Sequence, residues 1–203
     1  MTHVSVGRVS VATMTEIVLF HHAQGQTDGF LTFADELRAA GHLVHTPDYY
    51  AGATFPSVEE GAAHRDEIGH PELMRRAAEG VDGVPPEVVW MGMSLGVVFA
   101  QLYAQTRPGA QGAAFLYGAL PPDALGSPWP ADVPAQVHGM TDDPWIDWDE
   151  EVAPFVAASG AEVFRYPGSG HLFGEVDSVD YDHEAAVLLR ERVLAFAAES
   201  APR

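Results

Sequence analysis

The 203-residue sequence contains no cysteine and no lysine, and its ten basic residues are all arginine. Without cysteine there is no disulfide, no thiolate nucleophile and no zinc site built on sulfur. Without lysine there is no Schiff base, no lysine-bearing phosphate loop and no lysine general base. Positive charge is scarce in general: 29 Asp and Glu face those ten arginines, for a formal charge of −19. Such a surface repels phosphate backbones, so neither nucleic acid nor an anionic membrane is expected as a partner. No apolar run approaches the roughly 18 residues of a membrane span, and the first 16 residues lack the apolar core of a secretion signal. A cytoplasmic location is the expectation. The chemistry left to the chain is that of Ser, Thr, His, Asp, Glu, Arg and backbone.

What is present is a globular composition, 47% hydrophobic. A chain of this length buries roughly 70% of its unfolded surface and needs no staples. Residues 16–203 read as one domain, and residues 1–15 as an N-terminal extension or short edge strand. Short apolar runs alternate with longer helical ones, the pattern of an α/β fold with a mostly parallel sheet. Strands are expected at Ile17–His21, His42–Thr46, Val88–Gly92, Ala113–Tyr117, Ala135–His138 and Glu162–Tyr166. Helices are expected at Gly29–Ala40, in parts of Val58–Glu79, and at Leu95–Thr106, Asp149–Ser159 and Asp182–Ser200. The last carries Ala186, Leu189, Val193 and Phe196 at three- and four-residue steps, opposite Glu184, Arg190 and Glu191.

Gly92-Met93-Ser94-Leu95-Gly96 stands where an all-apolar strand meets a helix. A G-x-S-x-G string in this context is a nucleophile elbow, a sharp turn that lifts the serine hydroxyl to the top of the sheet. Small residues on either side are required because the turn brings them into collision range.

A serine nucleophile needs a base, and the base an orienting acid, in the chain order Ser, Asp or Glu, His. Of the three histidines after Ser94, His171 lies in a glycine loop, Pro167-Gly168-Ser169-Gly170-His171, directly after a strand. His138 falls in an apolar strand and reads as structural; His183 opens the last helix and reads as solvated. The acid is expected in Thr141-Asp142-Asp143-Pro144, at the preceding strand end. Asp143 is preferred because Pro144 holds it extended, with Asp142 the alternative. Oxyanion donors are expected from the Leu95 amide and, in the loop after the first strand, the Ala23 amide.

His21 and His22 are adjacent on a strand, point to opposite faces and cannot jointly grip one ion, so no metal or other cofactor is expected. The acidic stretch from Glu175 to Asp182 reads as a solvated turn. Tyr49, Trp145 and Phe173 are candidate pocket walls. Arg65 is a candidate partner for a substrate carboxylate, or else half of a surface ion pair.

From about residue 16 onward the chain resembles the dienelactone hydrolase family of α/β-hydrolases. The resemblance rests on Leu19-Phe20-His21-His22-Ala23-Gln24-Gly25, Gly92–Gly96, His138–Trp145 and Tyr166–Phe173. It implies a compact hydrolase without a cap domain and supports Asp143 as the acid. Two positions depart from the founding members: Ser94 stands where they have cysteine, and His22 where they have a glutamate that helps activate the thiol. The expectation is a serine hydrolase acting on a small ester, lactone or thioester, as a monomer or homodimer, with His22 part of the substrate pocket. The alternatives are an acyltransferase, or a non-catalytic ligand-binding protein on the same fold.

Overall fold

The computed structural model describes residues 14–201. Six strands form one all-parallel sheet: β1 (Glu16–Phe20), β2 (Leu43–His45), β3 (Val89–Met93), β4 (Gly112–Leu116), β5 (Ala135–Met140) and β6 (Glu162–Tyr166), in the order β2-β1-β3-β4-β5-β6. The helices are α1 (Asp28–Ala39), α2 (Val58–Ile68), α3 (His70–Gly80), α4 (Leu95–Thr106), α5 (Ala153–Ser159) and α6 (His183–Glu199). This is the α/β-hydrolase architecture, and among the described residues no cap domain is inserted over it. Of the extension expected over residues 1–15, residues 1–13 lie outside the described part; Met14 and Thr15 precede β1 without joining a strand.

Alternation along the strands builds two cores. Val18, Phe20, Trp90, Phe115 and Val137 face one side of the sheet, where Phe99 and Tyr103 of α4 and Phe155 of α5 cover them. Ile17, Leu19, Met91, Ala114 and Leu116 face the other, against Phe30, Phe33 and Leu37 of α1 and Leu189, Val193 and Phe196 of α6. Every residue of β3, β4 and β5 is buried, as a parallel sheet covered on both faces requires. Each large apolar side chain so buried contributes about 1.5–3 kcal/mol.

Two helical expectations are refined by local chemistry. Gly69, at φ +81°, ends α2 and separates it from α3. The helix expected from Asp149 begins instead as a π turn over Trp148–Val152, whose first amides are capped by the Asp147 carboxylate. Pro154, at the start of α5, has no N–H to continue a regular ladder through that turn.

The strand order reverses between β1 and β3. The chain leaves β1 towards β2 on one side, then returns across to β3 on the other, so loops depart in opposite directions and a crevice opens at the carboxyl ends of β1 and β3. Ligand sites of open α/β sheets form at such a switch point. Phe20 is paired with Gly92 there, which places the His21–Gly25 loop beside the turn that carries Ser94.

Candidate active site

Ser94 sits between β3 and α4 at φ +49°, ψ −115°, a conformation that costs a residue with a side chain about 1–3 kcal/mol. The turn is anchored by the Ser94 amide, which donates to Leu116 O at 2.8 Å. Its glycines answer to contact distances: a Cβ on Gly92 would stand 2.4 Å from Gly96 O, and one on Gly96 would stand 2.3 Å from Phe20 O and 2.6 Å from His21 O. Gly96 thus lets α4 seat directly against the end of β1. Leu95 is the first helical residue, so its N–H has no partner inside the helix.

His171 follows β6 in the glycine loop. Its Nε2 accepts from the Ser94 hydroxyl at 2.7 Å, and its Nδ1–H donates to Asp143 Oδ2 at 2.7 Å. The second Asp143 oxygen accepts from the Trp145 amide at 2.9 Å. Asp143 is 4% exposed, whereas Asp142 is exposed to solvent, which separates the two carboxylates that sequence left side by side. The His171 backbone is fixed in turn by its amide, which donates to Asp180 Oδ2 at 3.0 Å. Tyr117 and Trp145 flank the imidazole, with ring centroids 5.7 and 6.0 Å away.

A cleft of about 480 Å³ opens at this point. His171 and Trp145 form part of its wall, with Gln24, Phe55, Leu172 and Glu175. Trp145 is 47% exposed at its rim. The other proposed walls lie elsewhere. Tyr49 is fully buried, stacked on His21 at 3.7 Å and packed on Phe99, with its hydroxyl donating to His21 O. Burial without a countercharge pushes the Tyr49 phenol well above its usual range. Phe173 is fully buried between Tyr117 and Tyr166. Both are core residues: on a loop, an aromatic ring turns inward wherever the neighbouring strands leave room for it. Arg65 is paired with Asp66 at 2.8 Å and borders a separate groove beside Leu95, Val98 and Phe99.

His22 does not stand open to the cleft. It is 1% exposed, and its Nε2 lies 2.8 Å from Glu175 Oε2. Glu175 is equally buried, not the start of a solvated turn, although Val176 and Asp177 beside it are exposed. Its carboxylate also accepts from the Thr27 hydroxyl at 3.3 Å, at the N-terminus of α1, where the helix dipole favours negative charge. Sequence reasoning passed over Glu175, as it did Tyr117 beside the imidazole and Asp180 behind it. The signal for Glu175 was weak: an acidic residue directly after Leu172-Phe173-Gly174, four positions beyond His171. Ala23, 4% exposed, lies between His22 and Gln24 in the loop against α4.

A family model for the dienelactone hydrolase family matches residues 4–200. The chain belongs to that family. Membership makes it a hydrolase acting on ester bonds. No curated protein matches it. Among solved structures, a dienelactone hydrolase-like promiscuous phosphotriesterase from metagenomic libraries is 18% identical, with a TM-score of 0.73 over 93% of this chain and 87% of that one. A dienelactone hydrolase from Anabaena variabilis is 19% identical (TM-score 0.63; 93% and 88% covered). An esterase from Pyrobaculum calidifontis is 16% identical (TM-score 0.60; 93% and 77% covered). At these identities the likeness is one of fold, and it agrees with this family member's parallel sheet.

Proposed function

We propose that the chain is a serine hydrolase that cleaves a small ester, lactone or thioester through an acyl-enzyme. The observation that carries this reading is the pair of 2.7 Å hydrogen bonds joining Ser94, His171 and Asp143 in one line. Ser94 Oγ attacks the carbonyl carbon while His171 Nε2 takes the hydroxyl proton. The carbonyl oxygen becomes an anion held by the Leu95 and Ala23 N–H groups, next to the positive end of the α4 dipole. His171 then gives its proton to the departing alkoxide or thiolate. Water enters, His171 removes its proton, and as the second tetrahedral adduct breaks its bond to Ser94 Oγ the imidazolium returns that proton to Oγ, releasing the carboxylic acid. Asp143 stays ionised throughout and holds the imidazole with its proton on Nδ1 in the resting state.

Serine in place of the family's cysteine gives a harder nucleophile that depends on its base, and His171 supplies one. Labelling with a fluorophosphonate tests the assignment. Wild type is expected to take up one equivalent and Ser94→Ala none; equal labelling of both would remove Ser94 from the role. Release of p-nitrophenol from p-nitrophenyl acetate, lost in Ser94→Ala, is the expected companion result. Tight binding of an uncleaved ester with no release would instead favour a binding protein on this fold.

A further inference from the structure

The buried pair His22–Glu175 has no part in the proton path from Ser94, yet it lies beside the loop that would supply the second oxyanion donor. His22 Nδ1 accepts from the Gln24 amide at 3.1 Å, so the ring carries its proton on Nε2 and donates it to Glu175 Oε2 at 2.8 Å. Both ring nitrogens are thereby committed, and neither is free to act as a base. The Nδ1 bond closes a small ring around one residue, Ala23. It ties the His22 side chain to the amide just beyond Ala23, and so restricts the dihedrals that set where the Ala23 N–H points. The His22 carbonyl closes the loop again by accepting from Gly25 N at 3.1 Å.

On its far side the loop has no slack, because a Cβ on Gly61 of α2 would stand 1.9 Å from Ala23 O. Glu175 anchors the imidazole to the segment four residues past His171. It is itself held by Thr27 at the start of α1, while the neighbouring Asp177 carboxylate accepts from the Gly29 amide at 2.9 Å.

We infer that His22 and Glu175 are positioning residues that aim the Ala23 N–H at the developing oxyanion and keep it in register with His171. The inference rests on the proposed acyl-enzyme reading. Its cost and benefit follow from geometry: a donor preorganised by buried hydrogen bonds needs no rearrangement as charge develops on the carbonyl oxygen.

The test is steady-state kinetics on p-nitrophenyl butyrate, with inhibition by a matching trifluoromethyl ketone, whose serine adduct carries the oxyanion. In His22→Ala, kcat is expected to fall about 10- to 100-fold with KM within twofold, less than the 10²–10³ lost when such a donor is removed outright. The ketone's inhibition constant should rise by the same factor as kcat/KM falls. Glu175→Gln, whose amide oxygen can still accept from Nε2–H, should remain within threefold of wild type, whereas Glu175→Leu should behave like His22→Ala. Should His22→Ala fail to fold, His22→Phe, which keeps the edge-on contact with Phe30, is expected to show the same kcat loss. A kcat retained within threefold in either folded His22 variant would overturn the inference, as would a rise in KM with kcat and ketone inhibition unchanged. Activity that survives in Ser94→Ala would instead overturn the acyl-enzyme reading, and this inference with it.

Discussion

Two buried histidine–carboxylate pairs stand side by side at the carboxyl end of the sheet, and they differ in what the second ring nitrogen meets. In His171–Asp143 it meets a serine hydroxyl; in His22–Glu175 it meets a backbone amide. Burial does not distinguish them, since His171 is 3% exposed and His22 1%. The chemistry of the third group does. A hydroxyl can give up its proton once a carbonyl carbon approaches, whereas a backbone amide cannot, so in the proposed mechanism the same dyad carries proton transfer in one place and bracing in the other.

The largest expected effect breaks the first pair. Ser94→Ala should lower kcat about 10⁴-fold or more, and Asp143→Asn about 10⁴-fold, because an asparagine amide favours the wrong imidazole tautomer. Both are measured as kcat on p-nitrophenyl acetate. Asp143→Asn retaining a tenth of wild-type turnover would erase the distinction between the two dyads.

Next in size is a change that separates the two dyads physically. Gly96 is the contact at which the α4 elbow meets the end of β1, and the atoms a methyl group would strike, Phe20 O and His21 O, belong to the backbone of the last residue of β1 and the one after it. Gly96→Ala is expected to cost about 3 kcal/mol of stability, the upper range for overpacking. For a chain of this size that is a fall in Tm of roughly 6–12 °C. Thermal unfolding followed by circular dichroism reads it, and an unchanged Tm would mean that β1 and α4 are not in rigid contact.

Most of this arrangement is legible in the sequence where local chemistry alone dictates it. A strand, a serine between glycines and an apolar helix can fold in few other ways, and His171 is marked by its glycine loop directly after β6. Asp143 is legible only to within one residue, because choosing it over Asp142 depends on which carboxylate the β5 end turns inward. The roles of Tyr49 and Phe173 were not legible: a loop aromatic reads the same whether it lines a cleft or plugs the core beneath it. Glu175 was hidden for a different reason. Its partner His22 lies 153 residues away, and nothing in an acidic stretch shows which carboxylate a distant helix end and imidazole will bury.

A third buried histidine sharpens the comparison because it has no carboxylate. His138, fully buried on β5, stacks on Phe164, and its ring nitrogens lie 3.0 Å from the Tyr166 hydroxyl and 3.2 Å from Gln136 Oε1. Burial, with a smaller contribution from the Arg192 charge, pushes its pKa from 6.5 down to about 3. The folded state therefore keeps it neutral while the unfolded chain protonates it below about pH 6.5. The stabilisation is complete above that pH and is lost as pH falls towards 3, at up to about 1.4 kcal/mol per unit. His138→Phe removes this proton uptake. Its stability relative to wild type should improve by about 2 kcal/mol between pH 7 and pH 4.5, as measured by urea unfolding. A difference that stays constant with pH would show that His138 takes up its proton as readily in the folded protein as in the unfolded chain.

The smallest expected effect concerns the cleft that both dyads border. Among the described residues its walls carry Glu59, Glu175, Asp177 and Asp180 and no arginine. A unit charge about 8 Å from one carboxylate gains or loses roughly 0.5 kcal/mol in water, and mobile ions reduce this further. Esters bearing a carboxylate should therefore react about three- to tenfold more slowly in kcat/KM than neutral esters of the same shape. The mono-p-nitrophenyl ester of succinate against p-nitrophenyl butyrate makes the comparison. In 1 M NaCl, where the screening length is about 3 Å, the ratio should shrink towards one. Succinate reacting faster than butyrate at low salt would mean that a cation, with Arg65 the nearest in sequence to the cleft's Ser57–Glu59 wall, governs recognition in place of these carboxylates.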